Sequence, residues 1–213
     1  MIEATMTQDN APDKQSGNRP DSQQARRAMI DSQLRTSGVN EEFVLARMLA
    51  VPREAFLPAD RAALAYIDRS VAMADGGHLA APLFYGKLLL EAAPMRADRV
   101  LVIEGGTGYL AELLRPLVAD MAVLPAADAA AGKAAPGAPF SLIVIDGAVE
   151  QIPAALAAQL TGDGRIVAGL VLRQVTRLAA GRMIDGQVAL RPIEDLGIPV
   201  LHAFDAPKGW SFA

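Results

Sequence analysis

The chain contains no cysteine and only two histidines, His78 and His202, far apart in sequence. A disulfide framework and thiolate metal sites are excluded, and two isolated histidines do not make a zinc motif, so no metal is expected. Excess positive charge is missing too: 20 Lys and Arg against 24 Asp and Glu leave a net charge of −4. The basic residues are scattered, so neither nucleic acid nor an anionic membrane surface is expected as a partner. No apolar run approaches the ~20 residues that span a bilayer, and the N-terminus lacks the apolar centre of a secretion signal. The expected address is the cytoplasm. What the chain does have is apolar content, 52% of 213 residues, enough for one substantial core.

The organising stretch is Arg99 to Leu114, RVLVIEGGTGYLAELL. Val100 to Ile103 form a continuous apolar run, as expected of a strand covered on both faces. Gly105, Gly106 and Gly108 follow at once. Beyond them Leu110, Leu113, Leu114 and Leu117 recur at helical spacing. The unit reads as strand, glycine turn and helix, the arrangement that presents bare backbone N–H groups to a nucleotide-like ligand.

Residues Met1 to about Asp21 are rich in Gln, Asn, Asp, Pro, Ser and Lys, and read as a disordered tail. One domain is expected over residues 22–213. It should open with a helix from Ser22 that Ser37-Gly38 ends, followed by a second helix capped by Asn40 and stopped by Pro52. Pro52 to Gly77 reads as irregular with short helical turns. A helix from Pro82 to Leu90, terminated by Pro94, leads into the Val100 strand. Further strands are expected at Met121–Leu124, Leu142–Ile145 (ending in Asp146-Gly147) and Arg165–Leu172, with a helix over Ile152–Leu160 closing at Gly162. Val175–Ala180, Gln187–Arg191 and Val200–Phe204 read as closing strands. Ala126 to Pro139 is Ala/Gly/Pro-rich and offers little core material, and Trp210 reads as a core plug. Alternating strands and helices predict an α/β fold, a parallel sheet finished by antiparallel strands. Only 17 residues separate Leu124 from Leu142. A strand–helix–strand unit needs about 30, so one edge strand is expected to be missing.

Four motifs then acquire meaning together: Met29-Ile-Asp-Ser-Gln-Leu34, Val51-Pro-Arg-Glu-Ala-Phe-Leu-Pro58, Ala65-Tyr66 with Asp68, and Ile145-Asp-Gly-Ala-Val-Glu150. With them the chain resembles the protein-L-isoaspartate O-methyltransferase family, from about Ala25 to Phe212. The resemblance implies a Rossmann-like methyltransferase fold, S-adenosylmethionine as cofactor, and methylation of L-isoaspartyl carboxylates in damaged proteins. It places Glu104, Gly105, Gly106, Thr107, Gly108, Tyr109 and Asp146 at the cofactor and puts Ala80 at the family's substrate-handling serine.

Aligned on Gly106, Gly108 and Tyr109, the family's strand acid falls on Val102 and its first glycine on Glu104, while the acid that would accept from ribose hydroxyls is Pro125. A non-glycine residue at a positive-φ position costs roughly 1–2 kcal/mol, and a carboxylate there would face the cofactor's own, so weak binding is expected. Bland readings stand beside these: the glycines as a fold-required turn, Glu104 as a solvated loop side chain or a helix N-terminal charge, Asp146-Gly147 as an ordinary turn, His78 as a loop residue, and Arg53, Tyr66 and Asp68 as packing and capping groups. Two functions follow, a carboxyl methyltransferase working by proximity or a non-catalytic binding or scaffold protein on the same fold. Dinucleotide binding is weaker because G-x-G-x-x-G is absent.

A chain lacking the residues before Asp21 should fold with an unchanged melting temperature, because the segment has no periodic apolar positions. A thermal melt beside the full chain checks this, and a drop of many degrees would show that the segment is docked.

Overall fold

The computed structural model describes residues 20–184 and 187–207. Trp210 and residues 1–19 of the expected tail lie outside the described residues, and the tail's last two positions, Pro20 and Asp21, instead open the first helix. Helix α1 (Pro20–Met29) tightens through a π-helical turn at Ile30–Leu34 and a 3₁₀ turn at Arg35–Ser37, and Gly38 ends it at φ 83°. Helix α2 (Glu42–Ala50) starts from Glu41 in extended conformation, and Asn40 does not cap it. A 3₁₀ turn at Arg53–Phe56, another at Ala62–Leu64, and a two-residue hairpin of β1 (Val71–Ala72) with β2 (His78–Leu79) lead to α3 (Pro82–Ala92).

The main sheet has six strands: β3 (Arg99–Glu104), β4 (Asp120–Pro125), β5 (Phe140–Val149), β6 (Leu160–Leu172), β7 (Val175–Ile184) and β8 (Gln187–Asp195), in spatial order β4-β3-β5-β6-β7-β8. The first four are parallel and the last two antiparallel. Short helices α4 (Tyr109–Leu114), α5 (Ala126–Ala130) and α6 (Ala154–Ala157) complete the connections. Among the described residues no strand lies beyond β4, so the missing edge strand is confirmed. The β4–β5 connection holds one short helix and a loop.

Alternation along the central strands makes two core layers. Val100, Val102, Leu142 and Val144 join the layer under the N-terminal helices and α3, whereas Leu101, Ile103, Ile143 and Ile145 join the layer under α5 and α6. Ala129 and Ala135 are buried in that second layer, so the Ala-rich connection supplies more core than its composition promised.

Two expected elements differ. The helix over Ile152–Leu160 is a single turn at Ala154–Ala157, because Leu160 already pairs with Phe140 and opens β6. The strand expected at Val200–Phe204 reduces to one bridge between Val200 and Ala148, followed by a 3₁₀ turn at His202–Phe204.

An ion pair ties the parallel strands to α3. Arg165 on β6 meets Asp98 at 2.7 Å and donates to the carbonyls of Ala92 and Ala93, while Ser141 Oγ donates to Asp98 at 2.7 Å. Burial alone would raise the Asp98 pKa, but hydrogen bonds from Arg165, the Met95 N–H and Ser141 outweigh it and hold the carboxyl below its ordinary 3.8. A lowered folded-state pKa stabilises above the unfolded value and is lost as pH falls through the folded one. Asp98→Asn should cost about 3 kcal/mol at neutral pH and remove part of the acid sensitivity below about pH 4. Urea unfolding at several pH values measures both.

Candidate functional site

The glycine turn leaves the end of β3, and its donors already have an acceptor. Glu104 folds back so that Oε1 accepts from the backbone N–H groups of Gly106 at 3.1 Å, Thr107 at 2.9 Å and Gly108 at 2.8 Å. These donors precede α4, where a carboxylate is favoured both by hydrogen bonds and by the local backbone dipoles. Glu104 is not among the positive-φ residues, so the strain expected for a non-glycine residue is absent; the left-handed positions are Gly106 (φ 120°) and Gly108 (φ 76°). Its reading as a helix N-terminal charge is the one the structure supports.

Gly105 is required by proximity: a Cβ there would lie 2.2 Å from the Asp146 carbonyl oxygen. Gly106 is held from the other side, where a Cβ would come within 2.8 Å of the Gly77 Cα. His78 N–H donates to the Gly105 carbonyl at 3.2 Å, so the residue read as a lone loop histidine belongs to β2 and anchors it to the turn. The Gly77–Pro82 loop is thereby closed onto the glycine turn.

Asp146 does not end its strand, since β5 runs on to Val149 with an irregularity between Val144 and Ala148. It is 3% exposed, so it is neither a surface turn nor open to a ligand. The Tyr85 hydroxyl donates to its Oδ2 at 3.3 Å and accepts from the Ala80 N–H at 3.2 Å. Burial, then the Glu104 charge, push the Asp146 pKa well above the usual carboxylate range, against the opposing influence of Tyr85, Arg53 and the Gly105 N–H.

Beneath this lies Arg53, 0% exposed. Its Nε donates to the Ala65 carbonyl and its Nη2 to the Ala80 carbonyl, both at 2.7 Å. The guanidinium lies 5.4 Å from the Tyr85 ring centroid and 5.0 Å from that of Tyr109, and the two rings meet edge to face. Arg53 and Tyr66 are packing groups, as read from sequence: Tyr66 accepts from Arg26 at 2.7 Å, donates to Glu54, and its carbonyl accepts from Gln33. Asp68 is exposed. The sequence reading missed Tyr85 and Gly77. Tyr85 lies one helical turn after Pro82, but nothing in its spacing links it to Arg53 or Asp146.

The structure thus brings Glu104, Gly105, Gly106, Thr107, Gly108, Tyr109 and Asp146 together. Tyr109 and Asp146 are buried, and Glu104 is directed at its own turn. Ala80 is buried too, its peptide fixed on both sides. Pro125 pairs with Glu104 across β3 and β4, so the two positions read from sequence as departures adjoin. S-adenosylmethionine does not fit these residues as they stand: the three turn donors are engaged by Glu104, and Pro125 carries no side-chain acceptor. Among the described residues no group of three or more His, Asp or Glu is placed to hold a metal ion, and no helix is long and apolar enough to cross a membrane.

A parallel β3–β5–β6 core with a glycine turn at its carboxyl end and an antiparallel finish defines a Rossmann-like methyltransferase-type domain. The model of the family Protein-L-isoaspartate(D-aspartate) O-methyltransferase matches residues 24–125. A protein-L-isoaspartate O-methyltransferase of Methylorubrum extorquens is 33% identical over 193 residues, covering 76% of this chain and 84% of its own length. Its counterpart in Methanoculleus marisnigri is 28% identical over 209 residues, covering 87% and 93%. The chain belongs to the protein-L-isoaspartate O-methyltransferase family. Among solved structures, one protein-L-isoaspartate O-methyltransferase superposes with TM-score 0.66 at 18% identity, over 83% of this chain and 65% of that one. A Plasmodium falciparum relative in complex with S-adenosyl-L-homocysteine gives TM-score 0.63 at 14% identity, over 84% and 97%. These two likenesses carry the fold.

Arg53→Lys should destabilise the protein by about 2–3 kcal/mol, because an ammonium cannot bridge two carbonyls and stack between two rings at once. Denaturant unfolding of the two proteins measures the difference.

Proposed function

We propose that this chain uses the isoaspartyl methyltransferase fold as a non-catalytic binding or scaffold module. The observation that carries the reading is the Glu104 carboxylate accepting from all three turn donors. A cofactor that ends in a carboxylate would have to displace a side chain tethered beside the turn. Pro125 next to it leaves the ribose hydroxyls without a charged acceptor, and the position of the family's serine is a buried alanine whose peptide serves the core.

The second reading is the family's own chemistry, transfer of a methyl group from S-adenosylmethionine to L-isoaspartyl carboxylates in damaged proteins. It is favoured by family membership and by the 33% identical relative. It requires Glu104 to swing off the turn when the cofactor arrives.

Calorimetry with S-adenosylmethionine and S-adenosylhomocysteine, beside an isoaspartyl-peptide methylation assay, separates the two. The binding-module reading expects no micromolar binding and no turnover by the unmodified chain. Glu104→Gly with Pro125→Glu should tighten cofactor binding roughly thirtyfold to a thousandfold, if freeing the turn donors and supplying an acceptor each return about 1–2 kcal/mol. Micromolar affinity with ready methylation by the unmodified chain would establish the enzyme reading.

A further inference from the structure

Two buried oxygens at this site lack a hydrogen-bond donor, Glu104 Oε2 and Asp146 Oδ1. They belong to the residues that follow the paired Ile103 and Ile145 on the neighbouring parallel strands β3 and β5, and a Cβ on the intervening Gly105 would be 3.2 Å from the Asp146 carboxyl carbon. The other oxygen of each group is engaged: Glu104 Oε1 holds the glycine turn, and Asp146 Oδ2 receives the Tyr85 hydroxyl. Buried acceptors are almost always satisfied, and a buried carboxyl beside a second carboxylate favours its neutral form. One proton between them answers both requirements. It turns one orphaned oxygen into a donor and the other into its partner, and it leaves a single negative charge.

We propose that Glu104 and Asp146 share one proton at neutral pH, forming an acid–carboxylate pair that locks Glu104 onto the glycine turn. The proposal rests on the reading of Glu104 as the turn's resident acceptor and adds its regulation: the turn is released when the shared proton leaves. Asp146 is the group that carries it, because its burial and the Glu104 charge both favour the neutral form. The groups facing it from the packed elements are Glu104 from β3, Tyr85 from α3 and Arg53 from the 3₁₀ turn. The Tyr85 hydroxyl, then Arg53 and the Gly105 N–H, favour ionisation. The sign follows from a raised folded-state pKa. The contribution to stability is whole below the unfolded value near 3.8 and falls as pH rises through the folded one.

Infrared spectroscopy of the full chain tests the pairing. A protonated-carboxyl band that persists at neutral pH is expected, and it should vanish in Asp146→Asn. It should vanish also in Glu104→Gln, whose amide can donate to Asp146 while its carbonyl still accepts from the turn. Amide exchange at Gly106, Thr107 and Gly108, corrected for its intrinsic pH dependence, should accelerate as the wild-type band disappears with rising pH. In Asp146→Asn, where the amide donates at every pH, that acceleration should be lost. Absence of the band from the wild type at neutral pH overturns the proposal even if neither variant folds, and so does its persistence in Glu104→Gln. A titration of the same samples with S-adenosylhomocysteine keeps the two ideas apart: micromolar binding by the wild type removes the underlying reading, whereas the spectrum judges the pairing.

Discussion

The buried guanidinium of Arg53 is the constraint around which the site end of the molecule is built. A charge with no exposure needs partners that cannot leave, and it finds them in two backbone carbonyls and two tyrosine faces. Each partner belongs to a different segment: Ala65 to the irregular stretch, Ala80 to the loop before α3, Tyr85 to α3 and Tyr109 to α4. Meeting the charge therefore fixes where those segments stand. The Ala80 loop cannot move without opening Arg53, and the same loop carries Gly77 against Gly106. The closed state of the glycine turn is thus set from below by a cation and from above by a backbone contact.

The sheet edge tells a related story. Removing the strand that would flank β4 leaves Pro125 at the end of an edge strand, where a residue lacking an N–H disturbs no ladder. In a complete sheet the same end would be one wall of a ligand crevice at the carboxyl ends of the strands. Among the described residues no strand forms that wall, Pro125 has no side-chain acceptor, and Glu104 on the adjacent strand faces its own turn. Three independent features at one corner act in one direction.

How much of this could be read from residues alone depended on how local the cause was. The runs Val100–Ile103 and Leu142–Ile145 announced strands because burial on both faces leaves no polar alternation, and the lost strand followed from chain length between Leu124 and Leu142. Glu104 stood out as a departure, but the assumption of a left-handed backbone there was wrong. The residue ends a regular strand, and the positive φ angles fall on Gly106 and Gly108. Asp146-Gly147 read equally as a ligand position at a strand end and as a turn, because that dipeptide is common in turns; pairing with β6 lapses there and resumes at Ala148, so the strand continues past it. The Arg53, Tyr85 and Tyr109 cluster had no signature, since the three residues are spread over 57 positions and meet only in the folded chain.

The consequence of an internal acceptor is best seen through linkage. A turn completed by a bound cofactor gains stability in proportion to the logarithm of ligand concentration over its dissociation constant, so it loosens whenever the ligand is scarce. A turn completed by Glu104 has its acceptor tethered at the end of β3, where the effective concentration is that of a group unable to diffuse away. Any soluble carboxylate must outcompete it without the benefit of a tether. The tethered Glu104 carboxylate therefore orders this corner from within the chain. Glycine at 105 then follows from packing against Asp146, and glycine at 106 from its φ of 120° and its contact with Gly77.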